Sequence, residues 1–155
     1  MLSLQNQLNI NLLLQNIFSL DTQAPDELIN SFKIQHIAVN QPIFTEGEPA
    51  DFMAFILKGA VEIKKETEFK GKNVVLSILY SGNFLGEMII CGEGKTHRTT
   101  TATTLEDTCL AVLSYNNACN FIEKYPGLGF KFCKHIMLEM TKRLMASNKR
   151  LTEVF

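Results

Sequence analysis

Between Ile34 and Leu113 the sequence falls into seven short stretches, IQHIAV, PIFT, FMAFIL, AVEIKK, VVLSIL, TTTATT and CLAVL. Each is rich in β-branched or aromatic side chains, which fit a pleated, half-buried surface better than a helix. Asn40-Gln41-Pro42, Gly47, Gly59, Gly71 and Gly82 punctuate them. Short β-type runs separated by turn residues at this spacing specify a sandwich or a jelly-roll barrel. They argue against a parallel sheet, whose strands would alternate with helical patterns.

The period changes on both sides of this block. Upstream, Leu8, Leu12 and Leu13 recur at helical spacing, and Pro25-Asp26-Glu27 opens a second short helix, since proline suits the first helical turn and acids suit its dipole. Downstream, Ser114 is an N-cap for YNNACNFIEKY, which Pro126-Gly127 ends. One long helical pattern follows from about Leu128 to Val154. The expected architecture is α+β in a single domain over residues 1–155. A helical lead-in covers 1–33, a β jelly-roll barrel covers 34–114, and C-terminal helices cover 115–155. Along the last helix Met137, Met140, Leu144, Ser147, Leu151 and Val154 advance by alternating steps of three and four, a heptad seam with one polar member. Two readings stay open: the helix packs on its own barrel, or it pairs with a second copy as a parallel homodimer.

The 155 residues carry 15 basic and 16 acidic side chains, a net charge of −1. No general attraction to nucleic acid or to an anionic membrane follows from such a balance, so any anion site has to be local. The opening MLSLQNQLNINLLLQNIF interrupts its leucines with Asn and Gln every few positions. It reads as neither a signal peptide nor a spanning helix, and a cytoplasmic location is expected. Cys91, Cys109, Cys119 and Cys133 lack the close pairing of metal or redox motifs. The last three have apolar neighbours and read as buried, reduced thiols. His36, His97 and His135 stand apart and complete no metal ligand set. Ser77 and Ser81 have no His–Asp pattern to activate them. No enzyme, metal or cofactor is expected. ETEFKGK, Glu66 to Lys72, reads as a solvated hairpin tip.

The stretch SGNFLGEMII, Ser81 to Ile90, carries the chemistry. Gly82 and Gly86 make a turn, Glu87 follows at once, and Arg98 comes eleven residues later. A glycine turn running into a short helix, MIICGE, presents free backbone N–H groups that suit a phosphate. An arginine fork reaching the same place adds a charge-assisted contact. A carboxylate beside a phosphate repels it unless the ligand offers a hydroxyl there, as a ribose does. The alternative is that Glu87 and Arg98 pair with each other on a loop.

The run VLSILYSGNFLGEMII followed by HRTTTATT resembles the phosphate-binding cassette of cyclic nucleotide-binding domains. That family includes catabolite activator proteins, cyclic-nucleotide-dependent kinases and gated channels. LLLQNIFSLDTQAPDELINSF resembles its helical lead-in, PIFTEGEPADFMAFILKGAVEI its first strands with turns at Gly47 and Gly59, and LSYNNACNFIEKYPGLGFKF the start of its C-terminal helices. The resemblance implies a cassette over about residues 82–101. In it Gly86 and Glu87 hold the ribose, with Glu87 on the 2′-hydroxyl, and Arg98 pairs with the cyclic phosphate. Thr99, helped by Thr100, completes the phosphate site, while Leu76, Ser77 and Met88 line the pocket beside sugar and base. Ser147 and Asn148 fall where polar residues of dimeric bacterial relatives reach the purine.

The implied ligand is cAMP or cGMP. Thr99 to Thr101 stand where many relatives have a small apolar residue followed by Ala or Thr, which leaves the base open. The loop CGEGKTH, Cys91 to His97, is longer than in the kinases. Transcription factors of the family continue past the long helix into a helix-turn-helix domain, whereas this sequence stops at Phe155, so direct nucleic-acid binding is not expected. The function implied is a stand-alone sensor or regulatory module. It binds cAMP or cGMP and signals through its C-terminal helix to a protein partner that the sequence does not identify. The competing reading is a ligand-free domain of the same fold, serving oligomerisation or scaffolding.

Overall fold

The structure, a computed structural model, describes residues 3–19, 23–69, 71–92 and 96–154. The middle of the Cys91–His97 loop and the side chain of Val154 lie outside the described residues. Helices α1 (Leu4–Phe18) and α2 (Asp26–Asn30) come first. They are followed by β1 (Lys33–Ile37), β2 (Pro42–Phe44), β3 (Phe52–Lys58), β4 (Ala60–Glu66), β5 (Asn73–Tyr80) and β6 (Phe84–Leu85). A short helix α3 (Met88–Cys91) precedes β7 (Thr101–Thr104) and β8 (Thr108–Ser114), and α4 (Tyr115–Lys124) and α5 (Pro126–Val154) end the chain.

The strands form two antiparallel four-stranded sheets, in the orders β1-β8-β3-β6 and β2-β7-β4-β5. Side chains alternate across each strand, and on β3 and β8 that alternation builds two cores. Ala54, Ile56 and Leu110 meet Phe44, Val61, Leu79, Leu85 and Ala102 between the sheets. Met53, Phe55, Ala111 and Leu113 face the helices instead. There the Phe55 ring meets Phe32, Phe84 and Phe132, edge-on or tilted, the geometry that aromatic quadrupoles favour. This second core fixes α1, α4 and α5 to one face of the barrel. The α+β expectation and its order of elements hold.

Several details differ from the sequence reading. An eighth strand, β6, lies inside SGNFLGEMII; both its residues are buried against Ala54 and Phe55 of β3, and two residues are too few to show a period. On α1 the buried face is Ile10, Leu14, Ile17 and Phe18, while Leu8 and Leu12 are half exposed. Phe18 sets that face, because its ring packs on Phe121 and Phe132. Ser114 caps α4 by accepting from the Asn117 N–H, but α5 starts at Pro126, since a helix start loses nothing by proline's missing donor. Cys109, Cys119 and Cys133 are half-buried rather than buried, and Cys91 is exposed; all four are free. Burial raises the pKa of the Cys109 and Cys133 thiols.

Along α5, Phe132 and Ile136 are buried against the barrel, but Met137, Leu144 and Leu151 are about 60% exposed and Met140 38%. Of the seam, Met137, Met140 and Leu144 are thus left to solvent, whereas Ser147 and Leu151 border a groove against β5. No described helix is long and apolar enough to cross a membrane.

Candidate functional site

Arg98 enters the barrel from a strand-like segment that the β2–β3 loop holds in place. Its N–H donates to the Glu48 carbonyl and its own carbonyl accepts from the Gly47 N–H, both at 2.8 Å. His97 beside it forms a bridge with Pro49 and is exposed. The Arg98 guanidinium lies over the rings of Phe44, at 4.2 Å, and Phe52, at 4.5 Å. Nη2 donates to the Phe52 carbonyl at 2.8 Å, and Asp51 lies 4.0 Å away. Nε and Nη1 are buried with no partner. Desolvation holds the Arg98 pKa below its ordinary value, and the negative charges of Asp51, Glu48 and Glu87 oppose that shift. A buried donor left without a partner is expensive, so this arginine is poised for an anion.

A cavity of about 160 Å³ opens in front of it, lined among others by Phe44, Ser77, Glu87, Met88, Thr99 and Arg143. Gly86 permits the close approach. Its φ is +77°, and a Cβ there would lie 2.7 Å from Arg98 Nη1 and 2.9 Å from the Phe52 carbonyl. Glu87 starts α3. Its carboxylate lies 3.9 Å from Nη1 of Arg143 on α5, not in a hydrogen bond with Arg98. Arg143 in turn donates from Nη2 to the Phe84 carbonyl at 2.6 Å and lies over the Phe84 ring. The Thr99 hydroxyl meets the Met88 sulfur at 3.5 Å. The Thr99 carbonyl accepts from Lys65 Nζ at 2.9 Å, and Lys65 also binds Glu46.

The cavity thus brings together Ser77, Gly86, Glu87, Met88, Arg98, Thr99 and Thr100. Leu76 and Ser147 line an adjoining groove between β5 and α5 instead. Asn148 is exposed on the outer side of α5 and lines neither. Sequence reasoning missed Arg143. The signal was a polar stripe at steps of four, His135, Glu139, Arg143 and Ser147, on the barrel side of a helix read for its apolar seam. No group of three or more His, Cys, Asp or Glu side chains suited to a metal occurs among the described residues.

A family model for the cyclic nucleotide-binding domain matches residues 34–125, and the chain belongs to that family. Among solved structures it is similar to a cyclic nucleotide-binding domain from Methylobacillus flagellatus KT, with a TM-score of 0.80 and 21% identity over 97% of this chain and 85% of that one. It is also similar to CLP, the c-di-GMP-responsive global regulator of Xanthomonas campestris, with a TM-score of 0.74 and 21% identity over 82% of this chain and 61% of that one. Similarity to the catabolite activator protein of Thermus thermophilus gives a TM-score of 0.67 and 22% identity over 84% and 60%. At these identities the fold is what is shared. The chain matches 61% and 60% of the two regulator chains. No curated protein matches the sequence.

Proposed function

We propose that this chain is a cytoplasmic regulatory module that takes cAMP or cGMP in the Arg98 cavity and signals through α5, as a homodimer formed along the exposed face of that helix. It is a binding module rather than an enzyme. The observation that carries the reading is the Arg98 guanidinium, buried with Nε and Nη1 unpartnered beside a cavity. A cyclic phosphate supplies acceptors for both nitrogens, Thr99 adds a hydroxyl donor, and Glu87 accepts from a ribose hydroxyl. Giving up Arg143 for the sugar releases the α5 side of the pocket, whereas holding both ties the ligand to that helix; either way the ligand bears on the position of α5. A ligand that interacts differently with two helix positions shifts their populations.

The test is calorimetric titration of the full chain with cAMP and with cGMP, in wild type and Arg98→Ala. Truncating a buried arginine–phosphate pair costs about 2–4 kcal/mol, thirtyfold or more in affinity. Saturable binding abolished or weakened to that degree in Arg98→Ala supports the module. Absence of heat with both nucleotides, in folded ligand-free protein, returns the chain to the scaffold reading.

A further inference from the structure

The cavity at Arg98 does not end at Glu87. Ser77, Leu79 and Arg143 line both it and the groove of about 940 Å³ between β5 and the C-terminal half of α5. A nucleotide with its phosphate on Arg98 and its ribose on Glu87 has this groove open to its base, because Ser77 and Arg143 border both spaces. Arg150 stands over that end. Its Nη1 donates to the Leu76 carbonyl at 3.0 Å, next to Ser77, and among the described residues no bond takes up its other two guanidinium nitrogens.

The remaining charges of the groove are already engaged. Glu139 binds Lys142 at 2.6 Å, Lys149 faces Glu153 at 3.8 Å, and Arg143 holds the Phe84 carbonyl and Glu87. Asn83, also on the groove, accepts from the Tyr80 N–H through its Oδ1. What is left to read a base is one arginine fork, the Asn83 amide nitrogen, itself a donor, and the hydroxyls of Ser77 and Ser147. Hydroxyls donate or accept as required, whereas an arginine only donates. Guanine presents two adjacent acceptors, O6 and N7, on one edge; adenine presents N7 beside an N6 donor. Resting on the reading that the site takes a cyclic nucleotide, we infer that Arg150 is a specificity-determining residue that selects the guanine base, and hence cGMP over cAMP.

The experiment is calorimetric titration of the full chain with cGMP, cIMP and cAMP, in wild type and in Arg150→Ala. Hypoxanthine keeps O6 and N7 but lacks the 2-amino group, so cIMP isolates the edge that Arg150 reads. The expected result is that cGMP and cIMP bind within about threefold of each other and both about tenfold or more tighter than cAMP. In Arg150→Ala the gap closes to about threefold or less. Equal or tighter cAMP binding, cIMP falling with cAMP, or a gap that survives in Arg150→Ala overturns the role of Arg150 and leaves the nucleotide module standing. Failure of all three nucleotides to bind overturns the module and the selectivity together.

Discussion

Arg98 is 4% exposed, and its guanidinium lies over the rings of Phe44 and Phe52 but is hydrogen-bonded through one nitrogen, which makes it a liability to the fold. Replacing a buried, under-paired charge by an apolar side chain of similar length is commonly neutral or stabilising. Arg98→Met therefore loses nucleotide binding while the ligand-free melting temperature stays level or rises by about 2–4 °C. A fall of several degrees in differential scanning fluorimetry refutes this and makes Arg98 a structural residue. Gly86→Ala tests the same spot from the backbone side. The left-handed φ of +77° disfavours any side chain, by about 1–2 kcal/mol, and the new Cβ displaces Arg98 Nη1. Expected are a melting temperature lower by about 2–6 °C and an affinity loss of about tenfold. Wild-type affinity in that variant shows that Nη1 does not touch the ligand. Glu87 and Arg98 were legible because a glycine turn, an acid and a lone arginine form an unusual local order. Arg143 was not, since an arginine on an exposed-looking helix is unremarkable until Phe84 and Glu87 are brought beneath it by the fold.

Helix α5 is the element where sequence and structure diverge most. Its amphipathic pattern was plain, but which face met the barrel was not, because the barrel-facing stripe mixes Phe132 and Ile136 with His135, Glu139 and Arg143. A polar stripe reads as solvent-facing unless its partners are known; here they are the Phe84 ring and carbonyl and Glu87. The strands, by contrast, were visible nearly one for one, since β-branched runs bounded by glycine need no tertiary information. His135 gives this docking a pH signature. It lies half-buried with its ring 6.2 Å from Phe84. Burial holds its pKa below the ordinary value, with Glu139 opposing the shift and Lys142 reinforcing it. A folded pKa below the unfolded one means that the unfolded chain takes up the proton first. Stability from this group is then complete above about pH 6.5 and is lost as the pH falls from there through the folded pKa. His135→Gln is expected to flatten the decline in melting temperature between about pH 7 and 5.5. Parallel melting curves for the two proteins across that range exclude His135 as its source.

At the scale of the whole molecule, the outer face of α5 carries a long exposed apolar ridge. Phe130, Met137, Leu144 and Leu151 follow one another at intervals of seven, each about 60–70% exposed, with Leu138 and Met145 alongside. Proteins rarely leave such a ridge in water, and a seven-residue repeat is the spacing by which a second copy in parallel register would cover it. One residue round the same helix, Arg143 and Arg150 border the Arg98 cavity and its groove, where Leu151 also lies. The proposed self-association and the proposed nucleotide binding would both bear on this one helix, and linkage would make their coupling reciprocal. If nucleotide tightens the dimer by some factor, breaking the dimer must weaken nucleotide binding accordingly. Leu144→Glu places a charge in the seam, away from the cavity lining. Sedimentation velocity is expected to show a wild-type dimer at micromolar concentration and a Leu144→Glu monomer, and titration is expected to show weaker nucleotide affinity in the monomer. A monomeric wild type removes the dimer; a monomeric variant with undiminished affinity keeps the dimer but uncouples it from the ligand, leaving α5 to signal within one chain.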